Sequence, residues 1–429
     1  DMSLRKINRR SPWCWIPTLY FAEGIPYVAV MTIAVILYKR MGVSNTEIAL
    51  YTSWLYLPWV LKPLWSPFVD ILKTRRWWII MMQLLVGAGL AGIAFTIPTS
   101  FFLQVTLAFF WLLAFSSATH DIAADGFYML GLNEKKQAYF VGIRNTFYRF
   151  AVIFGQGILV MFAGWLEQRY AREMPETAAI PQAWSLTFYL LTILFALLFV
   201  YHYLFLPHPR RDTCTLPPQQ ASAGRVFKEF LGTFTSFFQK KHIVSALIFI
   251  LLYRFAEAQL VKITSPFLLD TPATGGLALS TAEVGFIYGT IGVIALTIGG
   301  IVGGIAMARR GLKSCLWTMT IAMNLPNIVY LYLSFARPES IGIISGCVAI
   351  EQFGYGFGFT SLTYFMMLFS NGKHQTAHYA ICTGFMALGL MLPGMISGWI
   401  EESIGYRAFF VWIMLCTIPS FWATHLVRK

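Results

Sequence analysis

Apolar residues run along this chain in blocks long enough to cross a bilayer, a distance that takes roughly 20 residues of helix. About twelve such blocks occur, at 14–38, 48–71, 77–98, 101–130, 138–164, 184–206, 243–269, 281–308, 313–335, 340–369, 377–400 and 406–427. An even number returns the end of the chain to the side on which it starts. The longest polar stretch, from about Pro207 to Lys241, holds Pro-His-Pro-Arg-Arg at 207–211 and Pro-Pro-Gln-Gln at 217–220, and it divides the blocks six and six. The pattern predicts an all-α polytopic membrane protein with six-helix bundles at 1–206 and 242–429, joined by a cytoplasmic linker at 207–241.

Composition excludes a water-facing fold. Of 429 residues, 57% are hydrophobic and 12% charged, where a soluble chain carries about 25% charge. The net charge of +13 would raise nucleic acid as a partner on a soluble domain; here the placement of the charges explains it. With the N-terminus inside, the inner segments hold 21 of the 32 Lys and Arg, among them Arg5, Lys73, Arg75, Arg76, Arg210, Arg309, Arg310 and Lys429. The outer segments hold six: Lys39, Arg40, Arg169, Arg172, Arg337 and Arg407. Lys and Arg excess marks cytoplasmic loops, so both termini are expected inside and nucleic acid is not a partner. Six scattered Cys without CxxC spacing suggest neither disulfides nor a zinc site. The first apolar run continues for a full span without a small-residue cleavage site, so it reads as span 1 and not as a cleaved signal peptide. No G-x-x-x-x-G-K-[ST] phosphate loop occurs, which excludes ATP-driven pumping by this chain.

The halves repeat. Tyr20-Phe-Ala-Glu-Gly24 in span 1 matches Arg254-Phe-Ala-Glu-Ala258 in span 7, placing Glu23 and Glu257 in register. The loop after span 2 carries Asp70, Arg75 and Arg76; the loop after span 8 carries Arg309, Arg310 and Gly311. Phe127-Tyr-Met-Leu followed by Asn133-Glu-Lys-Lys-Gln parallels Tyr364-Phe-Met-Met-Leu followed by Asn371-Gly-Lys-His-Gln. Matches at corresponding places in two six-span halves predict the pseudo-symmetric architecture of a secondary transporter, of the major facilitator type.

Several strings carry a closer resemblance. Phe21-Ala-Glu-Gly-Ile-Pro26, Lys62-Pro-Leu-Trp-Ser-Pro-Phe-Val-Asp70, Ser117-Ala-Thr-His-Asp-Ile-Ala-Ala-Asp-Gly126, Leu252-Tyr-Arg-Phe-Ala-Glu257 and Glu351-Gln-Phe-Gly354 resemble the AmpG muropeptide permeases. These belong to the peptide, acetyl-CoA and drug transporter group of the major facilitator superfamily. The resemblance covers nearly the whole chain, and the Lys-x-Leu-Trp-Ser-Pro-x-x-Asp string and the paired aspartates are its specific parts. It implies proton-driven import of anhydro-muropeptides, which are glycopeptide fragments of the cell wall, from periplasm to cytoplasm across the bacterial inner membrane. The proton gradient is then the driving force, with no cofactor, and a monomer in the lipid bilayer is the expected form. Where the family's helix 4 signature continues with Trp-Lys, this chain has Phe127-Tyr128, a difference of one cation that leaves the exact substrate open. Acetyl-CoA or siderophore transport is the alternative. A non-transporting sensor and an intramembrane transferase built on His120, Asp121 and Asp125 are further classes; no nucleophile motif or metal signature supports the transferase.

The charges inside the spans are the candidate chemistry, since an ionised side chain at bilayer depth costs at least about 2.5–3.5 kcal/mol and needs a partner or a watery cavity. Asp121 and Asp125 are four apart and share a helix face. Counting from the loop joining spans 4 and 5 places Arg144 level with Asp125 and Arg149 level with Asp121, with Lys62 at similar depth. Close carboxylates resist joint ionisation, so Asp125, Asp121, Glu23 and Glu257 are the proton-coupling candidates; a static salt-bridge network is the competing reading. Lys62 is the expected cation for Glu23. Arg254 suits an anionic end of the substrate because its planar guanidinium binds carboxylates bidentately, while Glu257 and Glu351 compete for it. Substrate candidates are thus Arg254, Glu351, Lys62, Arg144 and Arg149, with Tyr20 and Tyr355 as sugar-stacking rings and His120 as a relay or packing residue. Lys262 is a further cation within a span. Asp70, Arg75, Arg76, Arg309 and Arg310 are the gating candidates, with topogenic charge alone as their alternative. The segment from about Glu167 to Ala183 reads as an unusually polar outer loop.

Overall fold

The computed structural model describes residues 11–132, 134–209, 212, 223–371 and 375–428. Among them the chain is helical, with no strand. Eight segments are long and apolar enough to cross a membrane: Pro12–Arg40, Arg75–Thr96, Phe102–Gly131, Ile143–Tyr170, Glu176–Phe205, Ile243–Leu269, Thr281–Ala336 and Ala377–Val427. The long segment Thr281–Ala336 turns at Gly311 (φ 73°) and Ala377–Val427 at Gly405 (φ 78°), so each holds two of the expected spans. Glycine occupies both corners because a Cβ disfavours positive φ. Residues 45–72, in two helical pieces, and Ile341–Phe369 supply the remaining spans.

Few spans are regular. Proline lacks the N–H that closes the helical ladder, and Pro26 in span 1 is followed by a π-helical turn at Ala29–Ile33. Span 5 carries such a turn at Ile153–Leu159 and span 8 at Gly285–Gly292. Span 7 breaks between Leu252 and Phe255, where Arg254 leaves helical geometry (φ −105°, ψ 21°).

One sequence expectation is corrected, and one segment gains detail. The polar segment 167–183 is mostly not a loop: span 5 continues to Tyr170, and span 6 begins at Glu176, just after Pro175. Its polarity has a structural use, since buried Glu167 accepts a hydrogen bond from Trp184 Nε1 at 2.8 Å. The 207–241 linker contains a helix, Ala223–Phe238. Phe237 near its end is fully buried, edge-on to Phe369 and stacked on Phe385. Just beyond it, Lys240 donates to the carbonyls of Phe369 and Asn371 at the C-terminal end of span 10, where a helix favours a cation.

The described residues pack as two units: 11–32, Leu61–Gly155 and Trp165–Lys228 in one; Ile33–Val60, Gln156–Gly164 and Glu229 onward in the other. Connectivity and packing thus divide the chain differently, for parts of spans 1, 2 and 5 pack with the C-terminal spans. In the first unit a core of Trp15, Leu19, Tyr20, Ile79, Phe127 and Tyr128 packs spans 1, 3 and 4 together. In the second, close backbone approach governs: a Cβ at Gly398 would overlap the carbonyl of Asn45, and one at Gly289 would collide with the Gln156 backbone. Small residues at helix crossings permit such approach within a membrane.

Candidate functional site

The first unit collects charge from four spans. Asp125 of span 4 pairs with Arg144 of span 5 at 3.0 Å, and the Tyr20 hydroxyl of span 1 donates to the same carboxylate oxygen at 3.2 Å. Arg144 also donates to the Tyr20 oxygen at 2.9 Å, and its guanidinium lies 4.9 Å from the ring centres of both Tyr20 and Tyr128. Sequence counting therefore located this pair correctly, and Tyr20 serves as a hydrogen-bonding and cation-holding ring.

One turn away, Asp121 meets Lys62 of span 2 at 3.7 Å. Glu23 stands beside it: Glu23, His120 and Asp121 each bring one polar atom within 4.8 Å of the others. The Oε2 of Glu23 is buried without a hydrogen-bond partner among the described residues. Lys62, expected to serve Glu23, is thus engaged with Asp121, and Arg149 lies part-buried on span 5. The arrangement can share a proton among neighbouring acids and hold an anion near Arg144.

In the second unit the break in span 7 aims Arg254 inward. Its Nη2 bonds Glu257 at 3.0 Å and the Tyr355 hydroxyl at 2.5 Å, and the guanidinium lies 5.1 Å from the Tyr355 ring centre and 4.9 Å from that of Phe359. The expectation that Glu351 competes for Arg254 is corrected: Glu351 accepts from Tyr330 at 3.1 Å and Gln352 at 2.8 Å.

Lys262, not among the sequence's site candidates, is buried at 1% exposure, with Nζ 3.1 Å from Thr52 Oγ1 and 4.8 Å from the Tyr56 ring centre. No carboxylate pairs with it among the described residues. A polar network in the same unit was missed. Lys39 bonds Asp270 at 2.8 Å and Asn45 at 2.9 Å; Asn45 donates to Glu401 at 2.7 Å and Tyr406 at 3.0 Å; Tyr406 donates to Asp270 at 2.5 Å. Thr46 bonds Glu402 through both its amide and its hydroxyl. The signal was present as opposite charges at the ends of spans 1 and 7, but Lys39 was counted only for topology.

The gating candidates separate. The side chain of Asp70 lies outside the described residues. Arg75 and Arg76 donate their backbone N–H groups to Asp212, at 2.8 and 3.0 Å, which caps span 3. The Arg76 guanidinium donates to the carbonyls of Tyr203 and Leu206 at the end of span 6. Arg309 and Arg310 are exposed beside the Gly311 corner.

A helical chain of about twelve spans, with carboxylates and cations paired inside several of them, has the make-up of a membrane transporter. Residues 18–381 match the Major Facilitator Superfamily, and the chain belongs to that family. It is 25% identical over 416 residues to a putative transporter AmpG 4 of Rickettsia conorii, covering 94% of this chain and 93% of that protein. It is 24% identical over 414 residues to the anhydromuropeptide permease of Escherichia coli, covering 94% of this chain and 77% of the relative. Its fold resembles the nucleoside transporter NupG (TM-score 0.70, 13% identity, 96% and 98% of the two chains) and a D-xylose-proton symporter (TM-score 0.70, 13% identity, 96% of each).

Proposed function

We propose that this chain is a proton-coupled importer of anhydro-muropeptides. It would carry these anionic glycopeptide fragments from periplasm to cytoplasm across a bacterial inner membrane by alternating access, with both termini cytoplasmic. The observation that carries the coupling is Glu23: an ionisable group inside the spans, with a buried oxygen lacking a hydrogen-bond partner, beside a second carboxylate. Such a group exchanges a proton without breaking an existing hydrogen bond. Asp121 is the acid beside Glu23, and Asp125, one helical turn away, is the further carboxylate whose pairing with Arg144 and Tyr20 responds to the charge of that pair. Arg254 supplies a cation for the anionic end of the substrate, and the Tyr355 ring beside it a stacking surface for a sugar. The E. coli relative's name supports the substrate class, and the Lys and Arg asymmetry supports the orientation.

The test is uptake of labelled disaccharide anhydro-muropeptide into liposomes holding the purified protein, with and without an inward proton gradient, beside Asp125→Asn. Gradient-driven uptake that the variant abolishes is the expected result. Absence of uptake by folded protein would reject the muropeptide reading, and siderophores and CoA esters become the substrates to try.

A further inference from the structure

Behind the acid pair the first unit holds a buried hydrogen-bond chain. The Thr18 hydroxyl of span 1 lies 3.0 Å from Nε2 of His202 in span 6; His202 Nδ1 lies 2.9 Å from Oε1 of Gln83 in span 3; Gln83 Nε2 lies 3.1 Å from Nε2 of His120 in span 4. Gln83, His120 and His202 are 1%, 2% and 0% exposed. The chain ends on His120 Nδ1, which is buried without a partner and belongs to the residue grouped with Glu23 and Asp121.

The carboxamide in the middle is directional. Its oxygen only accepts and its nitrogen only donates. Because Oε1 faces His202, Nδ1 of His202 carries the hydrogen, which leaves Nε2 an acceptor that shares the Thr18 hydroxyl (3.0 Å) with the Trp15 carbonyl (3.2 Å). Because Gln83 Nε2 faces His120, the facing His120 nitrogen is an acceptor. A neutral imidazole has one N–H, so the hydrogen of His120 sits on Nδ1.

We infer that Gln83, backed by His202 and Thr18, is a positioning residue for coupling: it locks His120, the neighbour of Glu23 and Asp121, as a neutral imidazole with its hydrogen on Nδ1. The assignment rests on the coupling reading above for its purpose and on the amide geometry for its substance. An N–H fixed in place beside the acids favours negative charge on a carboxylate that comes within its reach, so the pair can release its proton without a change of tautomer in its neighbour. His120 alone could not do this, because an unanchored ring exchanges tautomers. A purely apolar span 3 at Gln83 would leave it unanchored.

The test is solid-state NMR of the full chain in lipid, labelled with 15N at its seven histidines, with His120→Gln and His202→Gln spectra assigning the two signals. Both rings should be neutral and protonated at Nδ1, and in Gln83→Leu the His120 signal should spread over both tautomers. In gradient-driven uptake, Gln83→Leu and His120→Leu should each lose about tenfold, the loss of one hydrogen bond of about 1.4 kcal/mol. His120 protonated at Nε2, or a His120 tautomer unchanged by Gln83→Leu, overturns the assignment. Should Gln83→Leu fail to fold, the spectrum of the unaltered protein still decides. Uptake indifferent to the gradient would instead overturn the coupling reading while leaving the tautomer result in place.

Discussion

The acid cluster of the first unit and the polar network of the second use similar side chains to opposite ends. Around Asn45 the bonds are short and closed on themselves: Lys39, Asp270, Tyr406 and Glu401 are joined at 2.5–3.0 Å. Around Glu23 the geometry is loose, with Lys62 and Asp121 at 3.7 Å, polar atoms of three side chains within 4.8 Å and Glu23 Oε2 buried without a hydrogen-bond partner among the described residues. A closed network holds a conformation, because breaking it strands buried polar groups. A loose one costs stability and is suited to exchange, since its members can change charge without losing bonds. Polarity within an apolar protein therefore does not by itself mark a site; the incomplete cluster is the better sign.

The widest expected separation between the two regions comes from Glu23→Gln. It removes an ionisable group but no hydrogen bond at Oε2, so gradient-driven uptake should fall by about tenfold or more while the melting temperature in detergent stays within about a degree. A clear drop in melting temperature would show that Glu23 is a structural member of the core and would erase the contrast. Asn45→Ala is the complementary change. It severs the links to Lys39, Glu401 and Tyr406, each a net hydrogen bond worth roughly 1 kcal/mol, and should lower the melting temperature by several degrees. Dependence of the residual uptake on the proton gradient should survive, and its disappearance would mean that the network belongs to coupling.

How far these regions were legible in the sequence depends on which helices they join. Arg144 and Asp125 lie on consecutive spans, so equal counts from their shared loop give equal depth at about 1.5 Å per residue, and the pair could be located by arithmetic. The twelve spans were legible for the same local reason, apart from the ends of spans 5 and 6, where Glu167 and Glu176 made helix look like loop. Gln83, His120 and His202 sit on spans 3, 4 and 6, and no count along the chain says that spans 3 and 6 adjoin. Lys39 and Asp270 are joined across the chain's two sequence halves. Glu351 shows the other limit: depth suggested Arg254, but the rotation of span 10 about its axis presents Glu351 to Tyr330, and depth carries no information about rotation. The linker helix was hidden because its apolar residues, such as Phe237, are interspersed with polar ones at helical spacing.

Lys262 tests the contrast most finely, because it lies in the second unit yet resembles the first: a buried cation offered one hydroxyl and one ring face. Replacing a buried charge by an apolar side chain of similar shape is often neutral or stabilising. Lys262→Met should therefore leave the melting temperature unchanged or raise it, by up to about 1 kcal/mol of stability, since the Thr52 hydroxyl can still bond the carbonyl of Ile48, 2.6 Å away. Asn45→Ala, in the same unit, should move the other way. Thermal melts of the two variants in one detergent compare the signs directly. If Lys262→Met melts lower by as much as Asn45→Ala, then the ammonium is a full member of the holding network, and incompleteness of partners is not what distinguishes the two kinds of polar group.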